Sequence, residues 1–269
     1  MPRFVIFTDL DGTLLDHDTY EWALAKPALK RLEETDTPLV LVSSKTRPEI
    51  ESLRVELGNR HPFVPENGGA IFIPHDYDLD PPRGAMREKG YHVLVLGLPA
   101  AEIAVAFDRL AAKIPIRALS RMKTGEVTAL TGLTSAQAEA AGNREFGEAF
   151  TLDDPGVSET RLAEAAGSLG LRLTKGGRFY HLLGENDKGR AVSILTKMYR
   201  QRDPDLITAA LGDSPNDEPM LASVDRPFLV ARPDGSHGDI DLAGLIRVPL
   251  PGPAGFNQAV LKLLQGGAE

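Results

Sequence analysis

The sequence predicts an α/β fold: a doubly wound parallel sheet interrupted by an inserted α+β unit. Three features predict it. Residues 3–73 alternate short, continuous apolar runs with helix-period patterns, as in βαβ units whose strands are buried on both faces. The alternation lapses near residue 84 and resumes near residue 184, so the core reads as discontinuous, 1–83 with 184–269, around an insert at 84–183. Two apolar runs, one on each side of the insert, stop at acid-rich turns, Thr8-Asp9-Leu10-Asp11-Gly12-Thr13 and Gly212-Asp213-Ser214-Pro215-Asn216-Asp217.

The elements follow in order. Arg3–Thr8 is apolar except at its ends and reads as a buried strand. Pro27 suits the first turn of a helix whose apolar face is Ala28, Leu29 and Leu32. Pro38–Val42 is a second buried strand. Thr46-Arg47-Pro48-Glu49 has the form of a capping box, Ile50, Leu53 and Leu57 share one helical face, and Gly58 is a natural stop. A tight turn at Pro65-Glu66-Asn67-Gly68-Gly69 leads into a strand at Ala70–Ile73. Pro74, Pro81 and Pro82, with Asp76, Asp78 and Asp80 between them, read as a solvated hinge. In the insert, Tyr91–Leu96 reads as a strand and Ala101–Ile114 as an amphipathic helix with Ile103, Phe107, Leu110 and Ile114 on one face. A short helix at Ser135–Ala141, a strand at Ala149–Leu152 and a helix at Ser158–Ser168 follow. The strands Leu171–Thr174 and Arg178–Leu183 flank Gly176-Gly177 as an antiparallel hairpin. Back in the core, Asp187 caps a helix with Ala191, Ile194, Leu195 and Met198 on its apolar face. Strands at Leu206–Leu211, Pro227–Val230 and Leu245–Val248 and a final helix at Ala254–Leu264 complete a Rossmann-like core.

Composition narrows the function classes. Of 269 residues, 42% are hydrophobic and 25% charged, an ordinary globular balance. The net charge of −8 comes without any basic block, which argues against nucleic acid and anionic membranes as partners. The absence of cysteine excludes disulfides, thiolate catalysis and cysteine zinc sites. No apolar run reaches membrane-spanning length and the chain opens on a strand rather than a leader, so a cytoplasmic location is expected.

The chemistry concentrates at the strand ends. Asp9 and Asp11 carry like charges two positions apart, and in a partly dry site such a pair repels by about 3 kcal/mol at an effective dielectric of about 20. A divalent cation with oxygen ligands offsets that repulsion. In an open α/β sheet the ligand site lies beyond the carboxyl ends of the strands, where Asp9, Asp11, Ser43, Ser44 and Asp213 all fall. Lys188, in the first turn after the insert, joins them. Carboxylates for a cation, with a hydroxyl and an ammonium for a phosphate, make a coherent phosphoryl-transfer set.

These residues resemble the four motifs of the haloacid dehalogenase-like phosphohydrolases, in order and with an insert between the second and third. The insert resembles the type-IIB (C2B) cap of the Cof-like branch. Ser43-Ser44-Lys45-Thr46-Arg47, Glu66-Asn67-Gly68-Gly69, Thr131-Gly132-Leu133-Thr134, Arg144-Glu145-Phe146, Gly176-Gly177-Arg178-Phe179-Tyr180-His181 and Pro251-Gly252-Pro253 are similar to the mannosyl-3-phosphoglycerate phosphatases. The resemblance implies a Mg²⁺-dependent phosphomonoesterase making mannosylglycerate, a compatible solute, with the glucosyl analogue as a further substrate. It implies Asp9 as nucleophile, Asp11 as acid and base, and Mg²⁺ on Asp9, the Asp11 carbonyl and Asp213, with Asn216 and Asp217 through water. Ser43, or Ser44 in its place, and Lys188 hold the phosphate. Asp217 has a second reading as a helix cap. For the sugar-glycerate part, Arg178 leads for the carboxylate, Gly176 and Gly177 offer backbone N–H groups, Arg144, Lys175 and His181 are further candidates, and Glu66 and Asn67 face sugar hydroxyls. A broader sugar phosphatase, a phosphohexomutase of the same superfamily and a non-catalytic binding relative stay open as alternatives, as does the oligomeric state.

Overall fold

The structure, a computed structural model, describes residues 3–266. Its larger sheet has nine strands: β1 (Phe4–Thr8), β2 (Leu39–Val42), β3 (Phe63–Val64), β4 (Ala70–Pro74), β5 (Met86–Glu88), β6 (Tyr91–Val95) and, after the insert, three more. A second sheet of four strands is made by β7 (Ile116–Ala118), β8 (Gly147–Leu152), β9 (Arg172–Gly176) and β10 (Phe179–Leu183). The larger sheet then resumes with β11 (Ile207–Gly212), β12 (Arg226–Ala231) and β13 (Ile246–Pro251), in the order β13-β12-β11-β1-β2-β3-β4-β6-β5. Pairing is parallel from β13 through β3 and antiparallel from β3 to β5.

The central strands are buried on both faces, which is why they read as continuous apolar runs. Side chains alternate between two clusters. Ile6, Leu39 and Leu41 face one side with α1 (Lys26–Glu34), α2 (Arg47–Leu57) and α9 (Gly252–Leu264). Val5, Phe7, Val40 and Val42 face the other with α7 (Lys188–Arg202) and α8 (Glu218–Leu221). The expected local devices are present: Thr46 and Glu49 close a reciprocal capping box, Gly58 ends α2 at φ +62°, and the Asp187 carboxylate accepts the N–H of Arg190 at 2.8 Å.

In the smaller sheet all pairs are antiparallel. On one face α3 (Ala100–Ala111) and α6 (Glu159–Gly167) bury Ile103, Phe107, Leu110, Leu162 and Ala166 against Phe150 and Leu182. On the other, Val127 of α4 (Thr124–Thr131) and Ala138 and Ala141 of α5 (Ser135–Gly142) surround Ala149.

The structure differs from the sequence reading in four places. Strands β5 and β6, which the sequence assigns to the insert at 84–183, complete the edge of the larger sheet, because Val93 packs into the same cluster as Phe63 and Phe72. The chain crosses to the smaller sheet only after Val95. Two short strands, β3 and β7, are too brief to show a period, and α4 buries only Val127 and Thr131, so it has no apolar stripe to read. The hairpin turn is Gly177-Arg178 rather than Gly176-Gly177, since Phe179 pairs with Gly176 and Gly177 takes φ +55°. The acidic segment is solvated as read, with Asp78 meeting Arg202 at 2.6 Å, but it precedes β5 and β6 of the larger sheet and so is no hinge between the two sheets.

The two crossings lie side by side. The N–H groups of Leu96 and Gly97 both reach the Gly69 carbonyl at 2.9 Å, and the Asn186 amide donates to the Glu66 and Asn67 carbonyls at 3.4 and 3.3 Å. A Cβ on Gly97 would lie 2.9 Å from Asn186 Oδ1, so only glycine lets the strands pass.

Candidate active site

Asp9 directly follows β1 and Asp213 directly follows β11, the neighbouring parallel strand, so their carboxylates emerge side by side. The Asp9 N–H donates to the Leu211 carbonyl at 2.9 Å, fixing the depth of the turn. Gly12 is required at φ +79°, and a Cβ there would lie 2.7 Å from Asp213 Oδ2. Lys188 enters from the first turn of α7 and is wholly buried. Its ammonium lies 2.5 Å from Asp9 Oδ1 and 2.6 Å from Asp217 Oδ1. The other Asp217 oxygen accepts the N–H groups of Asp213 and Ser214 at 3.0 and 3.1 Å. Asp217 is therefore occupied as a brace of the preceding turn and a seat for Lys188, and its side chain does not cap the helix that follows, contrary to its second reading. One oxygen each from Asp9, Asp213 and Asp217 lie within 4.8 Å of one another, and Asp213 Oδ1 is buried without a partner among the described residues.

The electrostatics match this crowding. Burial, and then the Asp217 and Asp213 charges, raise the Asp9 carboxyl well above the usual carboxylate range, although Lys188 works against the rise. Burial and Asp217 push Asp213 up to about 7. Burial disfavours the Lys188 ammonium, but Asp217 and Asp9 outweigh it and hold Lys188 protonated above the ordinary lysine value. A hard divalent cation fits such a site, since oxygen donors converge there and one of them lacks any protein partner.

A crevice opens above the cluster, between the larger sheet and the insert. Asp9, Asp11, Ser44 and Asn216 border it from the core, and Arg144, Gly176, Gly177, Arg178 and His181 from the insert. Ser43 is buried beneath, its hydroxyl oxygen accepting the Lys45 N–H at 3.2 Å. Asn216 accepts the Ser214 hydroxyl at 2.7 Å and donates to Asn67 Oδ1 at 3.2 Å, so Asn67 braces Asn216 from below instead of meeting a sugar. Gly176 sits against Asn216, where a Cβ would come within 2.9 Å of its amide nitrogen.

Two further expectations are corrected. Glu66 has no exposed surface, and its two oxygens accept the N–H groups of Glu145 and Phe146 at 2.7 and 3.1 Å, so it ties the insert to the core and faces no sugar hydroxyl. Lys175 pairs with Glu159 at 2.6 Å on an exposed face away from the crevice, because residues adjacent on a strand point to opposite sides. The sequence reading also missed residues. Lys45 borders the crevice with its ammonium 3.1 Å from Asp11 and 3.4 Å from Glu49, and Tyr20, at φ +60°, lies against it. The Lys45-to-Glu49 spacing of one helical turn was a signal that could have found the pair.

Comparison with known proteins agrees with this geometry. Residues 6–80 match the family model of the haloacid dehalogenase-like hydrolases. The chain is 42% identical over 265 residues, 97% of each chain, to the glucosyl-3-phosphoglycerate/mannosyl-3-phosphoglycerate phosphatase of Methanococcoides burtonii. It is 40% identical over 266 residues, again 97% of each, to the protein of that name from Persephonella marina. Among solved structures it resembles Thermoplasma acidophilum 0175 with a TM-score of 0.69 and 19% identity, covering 98% of this chain and 99% of that one, a likeness of fold.

Proposed function

The chain belongs to the haloacid dehalogenase-like hydrolases, in the branch of the glucosyl-3-phosphoglycerate/mannosyl-3-phosphoglycerate phosphatases, and on that footing we propose that it hydrolyses glucosyl- or mannosyl-3-phosphoglycerate to the glycosylglycerate and phosphate. The observation that carries the reading is Lys188, buried between Asp9 and Asp217 in the cluster that holds the unpartnered Asp213 oxygen, its ammonium 2.5 Å from the Asp9 carboxylate that lines the crevice. A phosphoric monoester hydrolase needs a nucleophile, a proton carrier and charge stabilisation at phosphorus, and each has a candidate here.

Asp9 supplies the attacking oxygen: a bond forms from its carboxylate to phosphorus as the ester oxygen leaves. Asp11, less buried and at the crevice edge, gives that oxygen a proton. Asp11 then takes a proton from the water that opens the aspartyl-phosphate. Lys188 and the Ser43 hydroxyl, or that of Ser44 in its place, hold the non-bridging oxygens. Asp9, Asp213 and the Asp11 carbonyl would hold Mg²⁺, with Asn216 and Asp217 reaching it only through water. When bound, Mg²⁺ offsets the charge that three carboxylates and a phosphate dianion bring together. The insert between the crossings acts as the cap, which excludes bulk water and meets the glycosylglycerate.

The test is release of inorganic phosphate from glycosyl-3-phosphoglycerates and simple hexose phosphates, compared by kcat/KM. The glycosyl-3-phosphoglycerates should lead by about tenfold or more. Asp9→Asn should lower turnover by at least ~10³-fold, and EDTA should abolish it. Preference for simple hexose phosphates would overturn the substrate, and phosphate release persisting in Asp9→Asn would overturn the covalent route.

A further inference from the structure

Three cations border the crevice, Lys45, Arg144 and Arg178, while Lys188 is buried behind Asp9. Arg178, at the tip of the hairpin, looks suited to an anion, but its fork is already spent. One terminal nitrogen donates to the Thr131 carbonyl at 2.7 Å and the other meets Asp18 at 3.2 Å, a residue of the loop after β1. Arg178 thus latches the insert to the core. Lys45 is committed between Asp11 and Glu49. Arg144 is different. Its side chain is only 4% exposed, Nη2 donates to the Ser44 carbonyl at 3.1 Å, and Nε lies 3.4 Å from Glu66 without making a hydrogen bond. Its remaining terminal nitrogen has no hydrogen-bond partner among the described residues.

Beside Arg144 the crevice wall contains His181, 3% exposed, whose Nδ1 is buried and unpartnered among the described residues. Burial first, then Arg144 and Lys188, hold this imidazole below its ordinary pKa, so it is neutral. A guanidinium with a free terminal nitrogen at the crevice, next to a buried imidazole nitrogen without a partner, offers a ligand hydrogen bonds that the protein leaves unmade. The guanidinium fork matches a carboxylate. In a phosphorylated hydroxy acid such as 3-phosphoglycerate, the carboxyl carbon is two bonds from the carbon bearing the phosphate, so its anchor must stand close to the phosphate cluster. Arg144 does, being bonded to the carbonyl of Ser44 at the mouth of that cluster.

Building on the proposed substrate class, we propose that Arg144, with His181 beside it, anchors the carboxylate of the leaving alcohol, and that Glu66 is the positioning residue that aims Arg144. Glu66 is bound through the two N–H groups that follow Arg144 in the chain, so the same carboxylate fixes both the backbone and the charge of the anchor.

The experiment compares glucosyl-3-phosphoglycerate with its carboxamide, which keeps the shape and loses the charge. The wild type should prefer the acid by roughly 10–100-fold in kcat/KM. Arg144→Met should collapse that preference by about tenfold or more, and Arg144→Lys should restore part of it. Glu66→Gln should shrink the preference by raising KM for the acid more than it lowers kcat. If Arg144→Met does not fold, Arg144→Lys reads the same ratio. A preference that is unchanged in the Arg144 variants, or that collapses in Arg178→Met instead, overturns the assignment. A wild type that hydrolyses neither ester but releases phosphate from hexose phosphates overturns the substrate reading itself, and is distinguished by wild-type data alone.

Discussion

Lys188 shows how much one side chain decides here. It has no exposed surface, and its charge is matched by Asp9 and Asp217. Lys188→Met would leave both carboxylates buried without a counter-charge, so unfolding free energy should fall by about 3–5 kcal/mol and phosphate release should disappear, read by urea titration and phosphate assay. Asp213 adds a pH dependence. Its folded pKa, about 7, lies above the unfolded carboxylate value, so the folded state holds the proton more tightly. Below about pH 4 both states are protonated and Asp213 costs nothing. The cost grows as pH rises and is complete above about pH 7. In EDTA, stability should therefore fall between pH 5 and pH 8 by about a few kcal/mol, and Asp213→Asn should flatten that fall in paired denaturation curves. Asp9, Asp11 and Asp213 were legible in the sequence because they stand at strand ends, and Lys188 because it opens the helix that Asp187 caps. Glu66 was misread because its partner Phe146 lies far along the chain, and the contact of Arg178 with Asp18 was invisible for the same reason.

Among the elements, those with a strong period were readable and those without were not. Helices α2 and α7 follow their apolar stripes and caps and α3 its stripe, whereas β3, β7 and α4 are held by neighbours that no local pattern reveals. The segment Arg144-Glu145-Phe146 is the firmest joint between the units. Phe146 packs into the core cluster directly over Gly69, where a Cβ would stand 2.4 Å from the Phe146 Cβ. Gly69→Ala should destabilise by about 1–3 kcal/mol, because neither backbone can retreat. Gly58→Ala, with open space around it at φ +62°, should cost only about 1 kcal/mol, the strain of the left-handed cap. Thermal unfolding of the two variants side by side checks the difference.

At the scale of the whole molecule, the buried acidic cluster and the fold are one equilibrium. Asp9 and Asp213, whose carboxyls burial and Asp217 hold above the usual range, are the ones a cation needs ionised, so Mg²⁺ should raise the melting temperature more at pH 8 than at pH 5. Equal shifts at both pH values would separate binding from these residues. The sequence conveyed the broad plan but set the boundary of the insert too early. A change from βαβ rhythm to a hairpin looks like a new unit, though β5 and β6 only finish the old one.

The central strand also has a history. Phe4–Thr8 finds one partner early, in Leu39–Leu41, and the other only at Ile207–Leu211. During synthesis at ~5–20 residues per second, that second edge waits ~10–40 s, open to pairing with any other strand. The contiguous segment beyond Val95 has no such wait. Ribosome-held chains ending before β11 should therefore carry a protease-resistant insert on a protease-sensitive core, and the nascent protein is most vulnerable to aggregation just before β11 emerges.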